Sequence, residues 1–177
     1  MNNQHNLVPF PSFKHPDVQV QIDYAINNDI LCLNYFVSGD IENIQWPDFD
    51  CIQEGNDLWK TTCLECFCLL EDGKSYIELN FSPKGYWHIY YFDDYRQPSQ
   101  TLKNVVCISD LVINKKDDGC RLQVEVHLNG ISIKDIGFTA VIEDSNKEIS
   151  YWALQHASNN PDFHKSETFT NSINKKL

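Results

Sequence analysis

Between residues 18 and 24 the apolar side chains Val18, Val20, Ile22 and Tyr24 alternate without a fault with Gln19, Gln21 and Asp23. The same rhythm returns at Leu122, Val124, Val126 and Leu128, set against Gln123, Glu125 and His127. Successive side chains on a strand point to opposite faces, so this pattern specifies an extended segment with one face buried and one toward water. Further strands are expected at residues 30–37, 62–70, 76–81, 87–92, 105–113 and 138–142, and no segment longer than a turn or two carries a helical period.

Turn-forming residues separate these runs: Asn27-Asn28-Asp29, Ser38-Gly39-Asp40, Glu71-Asp72-Gly73, residues 82–85 and 116–119, and Asn129-Gly130. Short strands joined by tight turns, with no crossover helices, predict an all-β fold: a two-sheet antiparallel β-sandwich of about ten strands. A chain of 177 residues is long enough to bury one core, so a single domain over residues 1–177 is expected. Residues 39–57, with Trp46-Pro47 and Phe49, read as a long loop, and the tail from Asn159 is expected to wrap the sandwich before fraying near Asn174.

Acidic residues outnumber basic ones 25 to 14, giving a net charge of -11. That balance argues against nucleic acid or an anionic membrane surface as a partner. No window reaches the roughly 18 uninterrupted apolar residues of a membrane helix, and residues 1–14 show no export signal, so a cytoplasmic location is expected. The seven cysteines, at 32, 51, 63, 66, 68, 107 and 120, are read as reduced thiols. Cys63 and Cys66 have CxxC spacing, but on a strand, positions three apart face opposite ways, which argues against a zinc knuckle or redox pair.

The densest chemical signal lies between residues 58 and 96. Strand parity puts Cys63, Glu65, Phe67 and Leu69 on one face, and Tyr76, Glu78 and Asn80 together on a face of the next strand. Glu65, Glu78 and Asn80 then line one surface, with Trp59, Trp87 and Tyr95 as candidate stacking rings. Carboxylates and amides that exchange hydrogen bonds with hydroxyl groups, beside rings that cover an apolar sugar face, are the chemistry of carbohydrate recognition. The alternative is that the polar residues are a solvated strand face and the rings are core. Arg96 is placed either to clamp an anion or to pair with Asp93 or Asp94.

The runs LWKTTCLECF (58–67), YIELNFSPKGYW (76–87) and YYFDDYR (90–96), closed by YWALQH (151–156) and PDFH (161–164), resemble the bacterial DOMON-like proteins, a group related to family 9 carbohydrate-binding modules. The resemblance implies a DOMON-type sandwich that binds a sugar or haem. Carried over position by position, it marks Trp59, Glu65, Glu78, Asn80, Trp87, Tyr95 and Arg96 in the middle motifs and His156, Asp162 and His164 in the closing one. The expected partner is a glycan or sugar-like small molecule, with no cofactor required.

Two other functions compete. Haem held by methionine and histidine is disfavoured because Met1 is the only methionine, and a bis-histidine site needs two of His88, His127, His156 and His164 to converge. An enzyme would draw on His156, Asp162, His164 and Glu65 as acid and base groups, while the structural alternative has the two histidines pinning the tail to the backbone. No nucleophile elbow, P-loop, dinucleotide fingerprint or HExxH is present.

Overall fold

The computed structural model describes residues 3–169 together with 171 and 172. The strands are β1 (Asn3–Pro9), β2 (Val18–Asn27), β3 (Ile30–Gly39), β4 (Gln53–Glu54), β5 (Cys63–Leu70), β6 (Tyr76–Phe81) and β7 (Tyr86–Asp94). They continue through β8 (Gln97–Pro98), β9 (Cys107–Lys116), β10 (Gly119–His127), β11 (Ile133–Glu143), β12 (Ile149–Ala153) and β13 (Asn171–Ser172). Among the described residues the only helical elements are short 3-10 turns at Ile41–Asn43, Leu58–Lys60 and Ser166–Thr168. The β2–β3 hairpin turns through Asn28 and Asp29, both in the left-handed region at φ 47° and 75°, which suits the right-handed twist of the flanking strands.

Every predicted strand forms, but the two separate sheets of a sandwich do not. The strands follow one hydrogen-bonded path, β4-β7-β6-β5-β11-β12-β1-β2-β3-β10-β9, with β8 on β7 and β13 on β11. All of the neighbours are antiparallel except β4 and β7. The link is β1, whose residues Asn3 to Leu7 pair with β2 while Val8 and Pro9 pair with Ala153 and Trp152 of β12. One strand thus serves both halves, and the fold is a single, strongly curled, mostly antiparallel sheet. Neither β1 nor β12 is predicted from alternation; β1 is mostly polar, with Asn3, Gln4, His5 and Asn6 ahead of Leu7.

Curling brings the inner faces of the two arms together. Val20, Ile22, Leu33, Leu122 and Val124 of the first arm share one core with Leu64, Cys66, Ile77, Leu79, Phe138 and Ala140 of the second. Burial of each such aliphatic side chain contributes about 1.5–3 kcal/mol. Tyr35 is fully buried in this core, and its hydroxyl crosses it to donate to the Glu65 carbonyl oxygen at 2.5 Å. Strand parity separates the CxxC sulfurs as expected: Cys66 and Cys68 lie in this core, whereas Cys63 packs outside with Leu58 and Val141.

A register shift in β11 sets up the outer face. Between Ile133 and Asp135 the pairing with β5 slips, so Ile133 and Ile136 both face the core while Thr139 lies directly opposite Glu65. That outer face is not open to water. Residues from 161 to 169 cross it, with Phe169 stacked on Phe67 at 5.5 Å between ring centroids. Gly137 makes the close approach possible, since a Cβ there would stand 2.6 Å from Phe169 Cδ1. The expected wrapping of the tail is therefore present this far; Asn174 lies outside the described residues.

Candidate functional site

Three strands of the second arm supply a polar floor on their outer face. The β5–β6 register sets Glu65 opposite Asn80 and Phe67 opposite Glu78, and Thr139 flanks Glu65 from β11. Thr139 Oγ1 donates to Glu65 Oε2 at 2.7 Å, and Asn80 Nδ2 donates to Glu78 Oε1 at 2.8 Å. Glu65, Glu78 and Asn80 keep only 2%, 6% and 0% of their surface, so neither carboxyl can be ionised at the usual cost of hydration. Burial raises both above the ordinary carboxylate range. The neighbouring Glu78 pushes Glu65 up further, against hydrogen bonds from Thr139 and Cys63, while Asn80 and Arg96 temper Glu78. Asn80 Oδ1 is buried and has no hydrogen-bond partner in the structure.

Above this floor lies a pocket of about 480 Å³, within the range of small-molecule sites. Phe67, Tyr90, Phe92 and Tyr151 wall it, and Phe13, Trp59, Pro161 and Phe163 form its rim. Trp59 is carried by the Leu58–Lys60 turn: Leu58 is anchored in the small outer core, and the indole is left 48% exposed at the mouth.

His164 closes one side, its Nδ1 2.8 Å from the Tyr76 hydroxyl and its Nε2 3.8 Å from Glu78 Oε2. Burial and the nearby Arg96 lower its pKa to about 4, against a weaker pull from Asp162. The imidazole is therefore neutral near pH 7, and its approach to Glu78 is not an ion pair. Tyr76 also accepts the Arg96 backbone N–H at 3.0 Å, and burial pushes its hydroxyl up to about 12. Arg96 sits at a left-handed φ of 52°. Its guanidinium donates to Asp162 Oδ1 at 3.1 Å, while the Tyr95 hydroxyl donates to Asp162 Oδ2 at 2.6 Å. Partial burial would raise Asp162, but these two hydrogen bonds, the Arg96 charge and the His164 backbone N–H together hold the carboxylate low.

The structure thus brings together most of the residues marked in the sequence. Glu65, Glu78, Trp59, Arg96 and His164 line the pocket; Asn80 is fully buried beside Glu78, bonded to it but not lining the pocket; Tyr95 and Asp162 fasten its edge. Two stand elsewhere. Trp87 pairs opposite Phe81 and packs against the main core, because the β6–β7 register puts it on the face away from Glu78. His156 donates its Nε2–H to the Val8 carbonyl oxygen at 3.0 Å, with its ring edge-on to Phe10, and so bonds the backbone as the structural alternative has it, whereas the His164 ring meets the Tyr76 hydroxyl instead. Arg96 pairs with neither Asp93 nor Asp94 but with Asp162, which is 66 residues away.

Sequence reasoning did not single out Phe67, Tyr90, Phe92, Tyr151, Phe163 or Phe13. Phe67 was within reach, since parity had already put it beside Glu65; the others needed the register of β7 and the path of the tail. Among the described residues no group of three or more His, Cys, Asp or Glu side chains is disposed to hold a metal ion.

No family model and no curated protein sequence matches this chain. Solved structures do share its fold. A protein from Bacteroides uniformis described as a "putative carbohydrate-binding protein" superposes with a TM-score of 0.65 at 13% identity, over 95% of this chain and 84% of that one. A family 9 carbohydrate-binding module from Caldicellulosiruptor kristjanssonii, solved with cellotriose, gives a TM-score of 0.52 at 9% identity, over 83% and 70% of the two chains. The same organism's family 9 module solved with glucose gives 0.50 at 9% identity, over 83% and 72%. At these identities the likeness concerns the fold: an all-β, curled sheet like that of the family 9 modules.

Proposed function

We propose that the chain is a carbohydrate-binding domain and that the pocket on the outer face of the second arm receives a sugar or sugar-like small molecule. The observation that carries this reading is the pocket's composition: the carboxyl groups of Glu65 and Glu78 at the base, beneath walls that are mostly aromatic. A sugar hydroxyl both donates and accepts, and a floor holding partly protonated carboxyls offers both roles. The rings give the apolar C–H face of a pyranose a dry surface to stack on. The shared fold with modules solved in complex with cellotriose and with glucose supports the same reading. Kinship with the DOMON-like proteins, expected from the middle and closing motifs, belongs to this proposal as well.

Calorimetric titration against a panel of mono- and disaccharides tests it. Trp59 is half-exposed at the rim, so Trp59→Ala should weaken a bound sugar by about 1–3 kcal/mol with the fold kept. Trp87→Ala acts differently: it hollows the main core and should lower stability. A sugar that binds with the same affinity to Trp59→Ala would place recognition outside this pocket.

A further inference from the structure

With both carboxyls ionised, the free hydrogen-bonding capacity of the pocket floor is one-sided. Four carboxyl oxygens belong to Glu65 and Glu78; their side-chain donors are Thr139 and the Cys63 thiol on Glu65 and Asn80 on Glu78. Asn80, on the same face and paired opposite Glu65, has spent an N–H on Glu78, while its fully buried Oδ1 accepts nothing. Donors nearby are committed or too far: the Arg96 guanidinium is bonded to Asp162 at 3.1 Å, and His164 Nε2 stands 3.8 Å from Glu78, beyond a hydrogen bond. Arg96 tempers Glu78 from the side, but its guanidinium is bonded to Asp162 and not to either carboxyl of the pair.

A ligand that fits this floor brings several donors and a positive charge. A hydroxyl supplies one donor and carries acceptor lone pairs that find little to accept from; an ammonium supplies three donors, has no acceptor and neutralises a carboxylate. We propose that the pocket selects a sugar bearing a free amino group over its neutral counterpart, with the ammonium set against Glu65 and Glu78. This rests on the reading of the pocket as a sugar site and narrows it to a ligand class.

The same geometry gives the preference a pH signature. Burial raises both carboxyls in the empty pocket, so an arriving ammonium must favour their ionised forms and displace a proton. The groups facing the pair are Cys63 on β5, Tyr76 on β6, Tyr90 on β7, Arg96 in the turn after β7, and His164 in the covering segment. Of these, His164 stays neutral above about 4, and the Cys63 thiol is held well above its ordinary range by burial, so neither changes charge between pH 5 and 7.

The test is calorimetric titration of the full chain with glucose, 2-amino-2-deoxyglucose, its N-acetyl derivative and ethanolamine, at pH 5 and pH 7, the latter in two buffers of different ionisation enthalpy. The amino sugar should bind about tenfold tighter than glucose at pH 7, with the advantage shrinking at pH 5 and with buffer-dependent heat reporting proton release. Glu78→Gln should bring the ratio of the two affinities close to one, and that ratio is read whatever the variant does to binding as a whole. Glucose or the N-acetyl sugar binding as well as the amino sugar at pH 7 overturns the proposal and leaves the sugar site standing. Ethanolamine matching the amino sugar, or no binding by any of the four, overturns both; the wild-type comparison decides even if Glu78→Gln does not fold.

Discussion

On the outer face of β10, Gln123 and Glu125 stand in solvent, whereas Glu65 on β5 and Glu78 and Asn80 on β6, the same residue types on the equivalent face of the other arm, are sealed from it. Both sets of strands are built by period two, and both turn their aliphatic side chains to the common core. The difference lies in what the chain later does. Among the described residues nothing crosses the face of β10, but residues 161–169 return over β5 and β6, and Phe163, His164 and Phe169 make a second, smaller packed layer there. Alternation therefore specifies which residues share a face; a segment about a hundred positions away decides whether that face becomes surface or site.

The largest expected effect separates the two faces by stability. Phe67 is 1% exposed and packs against Tyr76, His164 and Phe169. Phe67→Ala should cost about 3–5 kcal/mol in urea unfolding through lost burial and a residual cavity. Gln123→Ala, the counterpart on the open face, should change stability by less than about 0.5 kcal/mol. Equal losses at the two positions would mean that the second layer is not packed as described.

That contrast also marks how far the sequence is readable. The bounds of β6, the hairpin at Asn28 and Asp29, and the shared face of Glu65, Glu78 and Asn80 follow from local rules: parity, turn residues and β-propensity. Trp87 is misplaced by the sequence because its face depends on the pairing with Phe81, which the intervening turn fixes and parity within β7 alone does not. β1 escapes because a strand that bridges two arms with four polar residues at its start carries little alternation of its own. The bond from Arg96 to Asp162 joins positions that no local pattern connects, so Asp93 and Asp94 look like the natural partners until the tail is in place.

A smaller effect is expected where the covering layer meets the sheet. Gly137→Ala would push a Cβ to 2.6 Å from Phe169 Cδ1, so Phe169 must move. Strain of this kind costs about 1–3 kcal/mol. Limited proteolysis should find the segment around residues 155–169 cut sooner in this variant, while the core strands of the first arm keep their amide protection. Unchanged cleavage would show that Phe169 is not held against Gly137.

The pH dependence of stability gives a gentler handle on the same buried floor. The folded-state carboxyls of Glu65 and Glu78 are raised above the ordinary 4.5, so the folded chain holds protons that the unfolded chain has lost, and their contribution declines as pH rises through the raised values. His164 is lowered from 6.5 to about 4, so below 6.5 the unfolded chain binds the extra proton and stability falls as pH drops. The two contributions oppose each other between 4.5 and 6.5, and above 6.5 only the carboxyl contribution of these three groups remains. The urea midpoint should therefore fall as pH is raised above 6.5, and Glu65→Gln should flatten that slope. A midpoint that climbs with pH in this window would contradict the assignment of protonated carboxyls to the floor.

Mapping amide chemical shifts during a titration with glucose and, separately, 2-amino-2-deoxyglucose tests the central claim most directly, because it reports where a sugar sits rather than whether it binds. The account predicts perturbations on β5, β6 and β7 around Glu65, Glu78 and Tyr90, on the Trp59 turn and on residues 161–164, with the outer face of β10 silent. Shifts confined to the groove lined by Asp23, Asn34, Gln123 and Glu125 on the other arm, or no shifts with either sugar, would contradict it.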